Sequence, residues 1–234
     1  MNEIFAGLQE AFRLIFTFDS DLIEITLRSL QVSVTALLIA SALALPLGTW
    51  LAIRRFRYRR FAIVVLNALM GLPPVVVGLM VYLLFSRSGP FGVMGLLFTP
   101  TAMIIAQVII ITPLIASITH QAMRELWSEY HDLLISLNTT SLQRITALIW
   151  DGRRTLMTAS LAGFGRGIGE VGAIMIVGGN IDHVTRVLTT AIALETGKGD
   201  FALALSLGFV LIALTLLVNF VIHALSRTER NSTW

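Results

Sequence analysis

The 234-residue chain contains no cysteine. That excludes disulfides and thiolate metal sites but identifies no compartment. Charge is scarce as well. Asp, Glu, Lys and Arg make up 13% of the residues, against about 25% in an ordinary soluble domain. So little polar material cannot coat a water-soluble globule. The signatures of soluble catalysis are also missing. There is no Walker A sequence, so no P-loop holds ATP. No G-x-S-x-G elbow presents a serine nucleophile. His120, His131, His183 and His223 are scattered, and no pair of them has metal-ligand spacing. Residues 1–13 hold Glu3 and Glu10 and lack a basic n-region, so no cleavable signal is expected.

Apolar residues are abundant: 56% of the chain is hydrophobic and the mean hydropathy is +0.82. The chain reads as an all-α integral membrane protein of one domain, 1–234. A helix across a bilayer needs roughly 20 mostly apolar residues. Five stretches satisfy this, at about 29–53, 61–86, 101–121, 155–181 and 201–226. Between the second and third lies "SGPFGVMGLLFTP", whose glycines and prolines predict an irregular loop. Residues 3–17 place Ile4, Phe5, Leu8, Phe12, Ile15 and Phe16 on one helical face, which predicts a helix lying flat in the interface.

The sequence pI is near 9.9, a value that invites a nucleic-acid reading. The densest basic run, "RRFRYRR" at 54–60, sits between two spans, so it marks a cytoplasmic loop instead. Alternation then puts 124–154 and the tail with Arg227 and Arg230 inside. The N-terminus, the loop around Gly89 and residues 182–200 fall outside.

Several short motifs dissolve in this context. Gly167-Ile168-Gly169-Glu170-Val171-Gly172 fits the dinucleotide fingerprint G-x-G-x-x-G, but that motif needs a preceding strand in a βαβ unit. Here it lies inside a span. Glycines at four-residue spacing, Gly163/Gly167 and Gly165/Gly169, instead predict close helix packing in lipid. Gly197-Lys198-Gly199-Asp200 resembles the G-x-G-D of intramembrane aspartyl proteases, yet no span supplies the second aspartate that chemistry requires.

Two features remain. Arg166 and Glu170 interrupt the fourth span, four residues apart, so they share a helix face and can pair. Charge at bilayer depth is costly and faces a protein interior or a water-filled path. The pair is therefore either a gate or a self-neutralised packing device. The second feature is the cytoplasmic segment "WSEYHDLLISLNTTSLQRITALIWDGRRT". Leu133, Leu134 and Leu137 cluster at helical spacing, and Asn138 can end the helix in a left-handed conformation. Leu142, Ile145 and Ile149 line a second helix. Exposed leucines need a cover, so this helix-turn-helix reads as a docking element for a soluble partner.

These residues resemble the permease subunits of bacterial ATP-binding-cassette importers. Asp132-Leu133-Leu134 stands where that family's coupling loop carries E-A-A, and Asn138 stands where it carries Gly. "LPPVVVGLMVYLLFSRSGPFG" (72–92) and "GRGIGEVGAIMIVGGNI" (165–181) are similar to the molybdate/tungstate/sulfate branch. "TRVLTTAIALETGKGDFALALSLG" (185–208) is similar to tungstate-type permeases. The resemblance implies a type I importer fold of five transmembrane helices plus the N-terminal interfacial helix, in a bacterial or archaeal inner membrane. It also implies a homodimer, two cytoplasmic ATPase subunits that hold ATP and Mg, and an external binding protein that delivers tungstate, or alternatively molybdate or sulfate. This chain would then need no cofactor and be no enzyme, and it would bind lipid but no nucleic acid. Asp132, Leu133, Leu134, Leu137 and Asn138 would couple to the ATPase. Arg166, Glu170 and Asn180 would line the translocation path or its gate. A passive channel or an intramembrane protease remains the rival, and ATP-dependent, electrically silent uptake separates them.

Overall fold

The computed structural model describes Gln9, Arg13, residues 19–54 and residues 56–228, with side chains as far as Phe220. Apart from Gln9 and Arg13, the interfacial helix expected over 3–17 lies outside the described residues. Nine α-helices follow among them. They are α1 (Ser20–Ile53), α2 (Arg59–Met70), α3 (Pro74–Phe85), α4 (Pro100–Ser136), α5 (Ser141–Asp151), α6 (Arg153–Ile168), α7 (Gly172–Gly178), α8 (Leu188–Lys198) and α9 (Phe201–Thr228). A 3-10 turn at Gly92–Met94 interrupts the irregular segment between α3 and α4. The described residues include no strand, so the G-x-G-x-x-G match is not a dinucleotide site.

The two longest helices form the centre. α1 has 34 residues and α4 has 37, or about 51 and 55 Å at 1.5 Å per residue. Both exceed the roughly 30 Å of bilayer hydrocarbon. The side chain of Asp19 caps α1 by accepting from the Leu22 amide at 3.0 Å. The first uncharged stretch begins only at Ser29, because Asp21, Glu24 and Arg28 lie in the first turns of the same unbroken helix. α4 starts with Thr99 as cap and Pro100 in the first turn, where a missing N–H costs nothing. Val32, Ala36, Ala40 and Ala44 form a small-residue face on α1, packed with Met103, Ala106, Ile110 and Ile111 of α4. Small side chains let backbones approach closely in lipid. At Gly48 the approach is closest: a Cβ there would lie 2.6 Å from the Ala116 carbonyl oxygen. Gly48→Ala is therefore expected to force α1 and α4 apart at a cost of about 1–3 kcal/mol. A lower melting temperature of the detergent-solubilised protein checks it.

Among the described residues, three helices, α1, α4 and α9, are long and apolar enough to cross a membrane on their own. The stretches expected as the second and fourth spans are each broken. α2 and α3 meet at 97°, and α6 and α7 at 59°, so five spans result when each bent pair counts as one. The first break falls at Pro73-Pro74, where two missing amides and the restriction on Leu72 end the helix. Hydropathy registers an apolar run and is blind to such a corner. Residues 182–200, expected as a plain outer loop, fold mostly into α8, which packs on α9 and α1 through Leu22, Leu188, Ala191 and Leu207.

Candidate functional site

The break between α6 and α7 places the intramembrane charges. Arg166 lies in the last turn of α6, and Glu170 falls in the three-residue gap before α7. Their side chains approach to 4.0 Å, but they do so across a helix end rather than along one helix. The two differ sharply in exposure: 43% for Arg166 and 6% for Glu170. The other carboxylate oxygen of Glu170 accepts from the Ala173 amide at 3.3 Å, in the first turn of α7. Negative charge is favoured at a helix start. Glu170 thus ties the two halves together, while the guanidinium projects outward from an apolar span.

A broken helix in a bilayer leaves carbonyls that no water reaches, and each must find a protein donor. Side chains from other helices supply them. Gln107 of α4 donates through Nε2 to the Gly167 carbonyl at 2.8 Å. Thr189 of α8 donates to the Glu170 carbonyl at 3.1 Å. Beyond α7, the Thr185 hydroxyl donates to the Gly178 carbonyl and accepts from the Ile181 amide at 2.9 Å. Ser29 of α1 donates to the Ile25 carbonyl and accepts from the Leu188 amide at 2.8 Å. Gln107 is buried and its Oε1 has no partner among the described residues. Charge and motif matching overlooked these residues. The available signal was an amide in the middle of an uncharged apolar span, which is costly there unless paired.

Asn180 stands at the far end of α7 from Glu170, about 10 Å away along seven residues. Its φ is +49°, and it follows Gly179 at +70° in a tight turn. Its Oδ1 is buried without a partner among the described residues. Arg166, Glu170 and Asn180 therefore do not converge on one point; they mark the two ends of α7. The glycine pairs also divide. A Cβ on Gly163 would meet Ile115 of α4 at 2.5 Å, and one on Gly167 would touch Ile111. Gly165 and Gly169 meet no neighbouring helix, so close packing explains only the first pair within the chain.

The turn after α7 is pinned to α1. His183 Nδ1 lies 2.8 Å from the Glu24 carboxylate, Arg28 donates to the His183 carbonyl at 3.2 Å, and Arg186 pairs with Asp182. The hydrogen bond to Glu24 holds His183 above its ordinary value, and the charge of Asp182 adds to the effect. This contact stabilises fully below about pH 6.5, the ordinary histidine value, while Glu24 stays ionised. It fades as pH climbs through the raised value. Glu24→Gln is expected to bring the His183 midpoint down toward the ordinary value, as read from its imidazole NMR signals.

The segment between α4 and α6 is the second candidate. α4 ends at Ser136, and Asn138 adopts φ +49°, the left-handed end expected for it. Its amide donates to the Ile135 carbonyl at 2.9 Å. Thr140 and Gln143 form a reciprocal capping box that starts α5, and Arg144 donates to Thr139 at 3.1 Å. The turn is thus built rigidly. It displays Leu133, Leu137 and Leu142, the last two 64% and 73% exposed. Asp132 is exposed and lies 2.9 Å from His131 Nδ1. Leu134 differs from its neighbours. It is 8% exposed and packs with Met123, Leu148 and Leu156, so it anchors the turn and is not part of the displayed surface. Its i, i+3, i+4 spacing had grouped it with Leu133 and Leu137, but one turn of helix carries both faces. Among the described residues no group of His, Cys, Asp and Glu could hold a metal ion.

Residues 44–231 match the family described as binding-protein-dependent transport system inner membrane component. The chain is 41% identical over 225 residues to the tungstate uptake system permease protein TupB of Peptoclostridium acidaminophilum, covering 96% of this chain and 99% of the relative. It is 35% identical to the TupB of Campylobacter jejuni over 228 residues, 97% of this chain and 95% of that one. With the molybdenum transport system permease protein ModB of Azotobacter vinelandii the identity is 24% over 213 residues, 88% and 93% of the two chains.

Proposed function

This chain belongs to the family of inner membrane components of binding-protein-dependent transport systems, and from that premise we propose that it is the permease of an ATP-driven tungstate importer. The observation that carries the substrate is the near full-length similarity to two permeases named for tungstate uptake. The molybdenum relative stands further off. In this reading two copies face each other, with the exposed sides of the α6–α7 pairs toward the shared axis. An exposed guanidinium on an apolar span needs protein or water beside it, and Arg166 meets that need only at such an interface or path. Gly165 and Gly169, open on the same pair, would let the copies approach.

The energy comes from a cytoplasmic ATPase bound to the turn at 132–142. Leu133, Leu137 and Leu142 would fill its apolar cleft, Asp132 would lie at the rim, and Asn138 would shape the turn. Closure of the ATPase pair on ATP would drag α4 directly and α6 through α5, and open the path outward. Glu170 would hold the α6–α7 corner in one arrangement and Asn180 its outer turn. A tightly binding basic site would trap a dianion, so the path needs weak, sequential contacts.

The test is uptake into proteoliposomes that contain the permease with its ATPase and binding protein. Tungstate should accumulate only with ATP and without current, with about two permease copies per two ATPases. Excess unlabelled tungstate should suppress uptake at lower concentration than molybdate or sulfate. Preferential suppression by molybdate would reassign the substrate. Conduction without ATP would replace the importer with a channel.

A further inference from the structure

The irregular segment between α3 and α4 borders an open cavity of about 700 Å³. Its walls include Tyr82 and Phe85 from the end of α3, Ser86, Arg87 and Ser88 from the following turn, and Phe98 from just before α4. One cation, two aliphatic hydroxyls and a phenol face it, and none of the described lining residues is acidic. Arg87 is exposed, and among the described residues it has no hydrogen-bond or ion-pair partner. Several charged side chains elsewhere on the outer side have a counter-charge: Arg186 with Asp182, Arg28 with Glu24, Lys198 with Glu195. Here one positive charge stands beside hydroxyls with no counter-charge.

The walls are firmly set. Ser86 donates to the Leu83 carbonyl at 3.0 Å and lies 3.4 Å from the Ser88 hydroxyl. Tyr82 meets Phe98 edge to face with ring centroids 6.3 Å apart. Phe98, held at φ +61°, donates its amide to the Val177 carbonyl at 2.9 Å, which fastens the cavity to the end of α7. α3 runs beside α7, and a Cβ on Gly78 would lie 2.7 Å from Ala173 Cα. The cavity therefore sits at one end of α7, and the Arg166–Glu170 corner sits at the other.

We propose that this cavity receives the oxyanion at the outer face, with Arg87 supplying the attracting charge and Ser88 and Tyr82 offering hydrogen-bond donors. The proposal rests on the importer reading and on the orientation given above. Its volume far exceeds that of a bare tetrahedral oxyanion, so the anion enters with part of its hydration shell. One unpaired arginine in an acid-free concavity concentrates anions without trapping them.

The chain has no cysteine, so Ser88→Cys places a single thiol in the cavity, on an exposed turn. In the assembled, reconstituted complex an anionic thiol reagent should outpace a cationic reagent of equal size by about tenfold. Sodium tungstate should slow the anionic reagent several-fold, where sodium chloride at equal ionic strength does not. Adding Arg87→Gln should abolish both the charge preference and the protection. In uptake, Arg87→Gln alone should lower the rate severalfold while ATP hydrolysis stimulated by the loaded binding protein persists. Equal reactivity toward both reagents, or a preference unchanged by Arg87→Gln, overturns the site. Joint loss of uptake and stimulated hydrolysis in Arg87→Gln overturns it too, assigning Arg87 to contact with the binding protein. Absence of uptake by the wild-type complex overturns the importer reading instead, and the thiol chemistry then decides the anion site separately.

Discussion

Glu170→Gln is expected to reduce ATP-dependent uptake by at least about tenfold, a barrier change of about 1.4 kcal/mol, and to lower the melting temperature in detergent. Its carboxylate is 6% exposed and joins two helices by facing Arg166 and accepting from Ala173. The amide keeps the volume but loses the charge. Arg166 then has no counter-ion, and the start of α7 loses its anionic cap. Because the guanidinium is 43% exposed, the stability loss should stay near about 1–2 kcal/mol rather than reach the value for a fully buried pair. Arg166→Gln in the same chain separates two roles. Should the pair act only in packing, the double variant recovers both stability and transport. Should it act as a gate, stability returns while transport stays low. Normal uptake and normal melting in Glu170→Gln alone would remove both roles.

On the proposed coupling, Leu137→Asp is expected to abolish transport-coupled ATP hydrolysis while leaving the proposed dimer and the melting temperature unchanged. Leu137 is 64% exposed at the end of α4, so a carboxylate there would meet water in the free permease and, in the proposed complex, the partner's apolar cleft. Loss of such an anchor weakens an interface by about 2 kcal/mol or more, a factor of about 30 in affinity. Leu134→Asp provides the contrast. That side chain is buried among Met123, Leu148 and Leu156, and a charge there should destabilise the chain itself. If Leu137→Asp hydrolyses ATP in step with transport, the turn is not the coupling surface. If the two variants behave alike, the division of the turn into a displayed and a buried face is wrong.

Much of this architecture is visible in the chain before folding. Uncharged runs locate α1, α4 and α9, because the bilayer demands length and apolarity and little else. The left-handed Asn138 and the start of α5 follow from local backbone chemistry. The corners in the second and fourth spans are harder. Pro73-Pro74 signals the first in hindsight, but Gly169-Glu170-Val171 holds no proline and reads as continuous helix. What makes that corner stable is remote: Gln107 lies 60 residues from the carbonyl it caps, and Thr189 lies 19 residues from its own. Periodicity cannot report such bonds. It also could not separate Leu134 from Leu137, since both satisfy the same helical spacing.

α4 carries Gln107 and runs into the turn proposed above for docking. From Gln107 to Leu137 the axis runs about 45 Å, so a tilt of about 5° pivoting at Leu137 swings Gln107 sideways by about 4 Å, more than the length of the hydrogen bond it makes. The helix is in effect a lever whose long arm ends on the corner of its neighbour. Pro113 lies partway along it and withholds one rung from the ladder, to the carbonyl of Ile109. The lever therefore has a joint. On the proposed coupling, straightening or bending there would set how much of a push at the turn reaches the corner, so the gear ratio would reside in a residue that touches neither end.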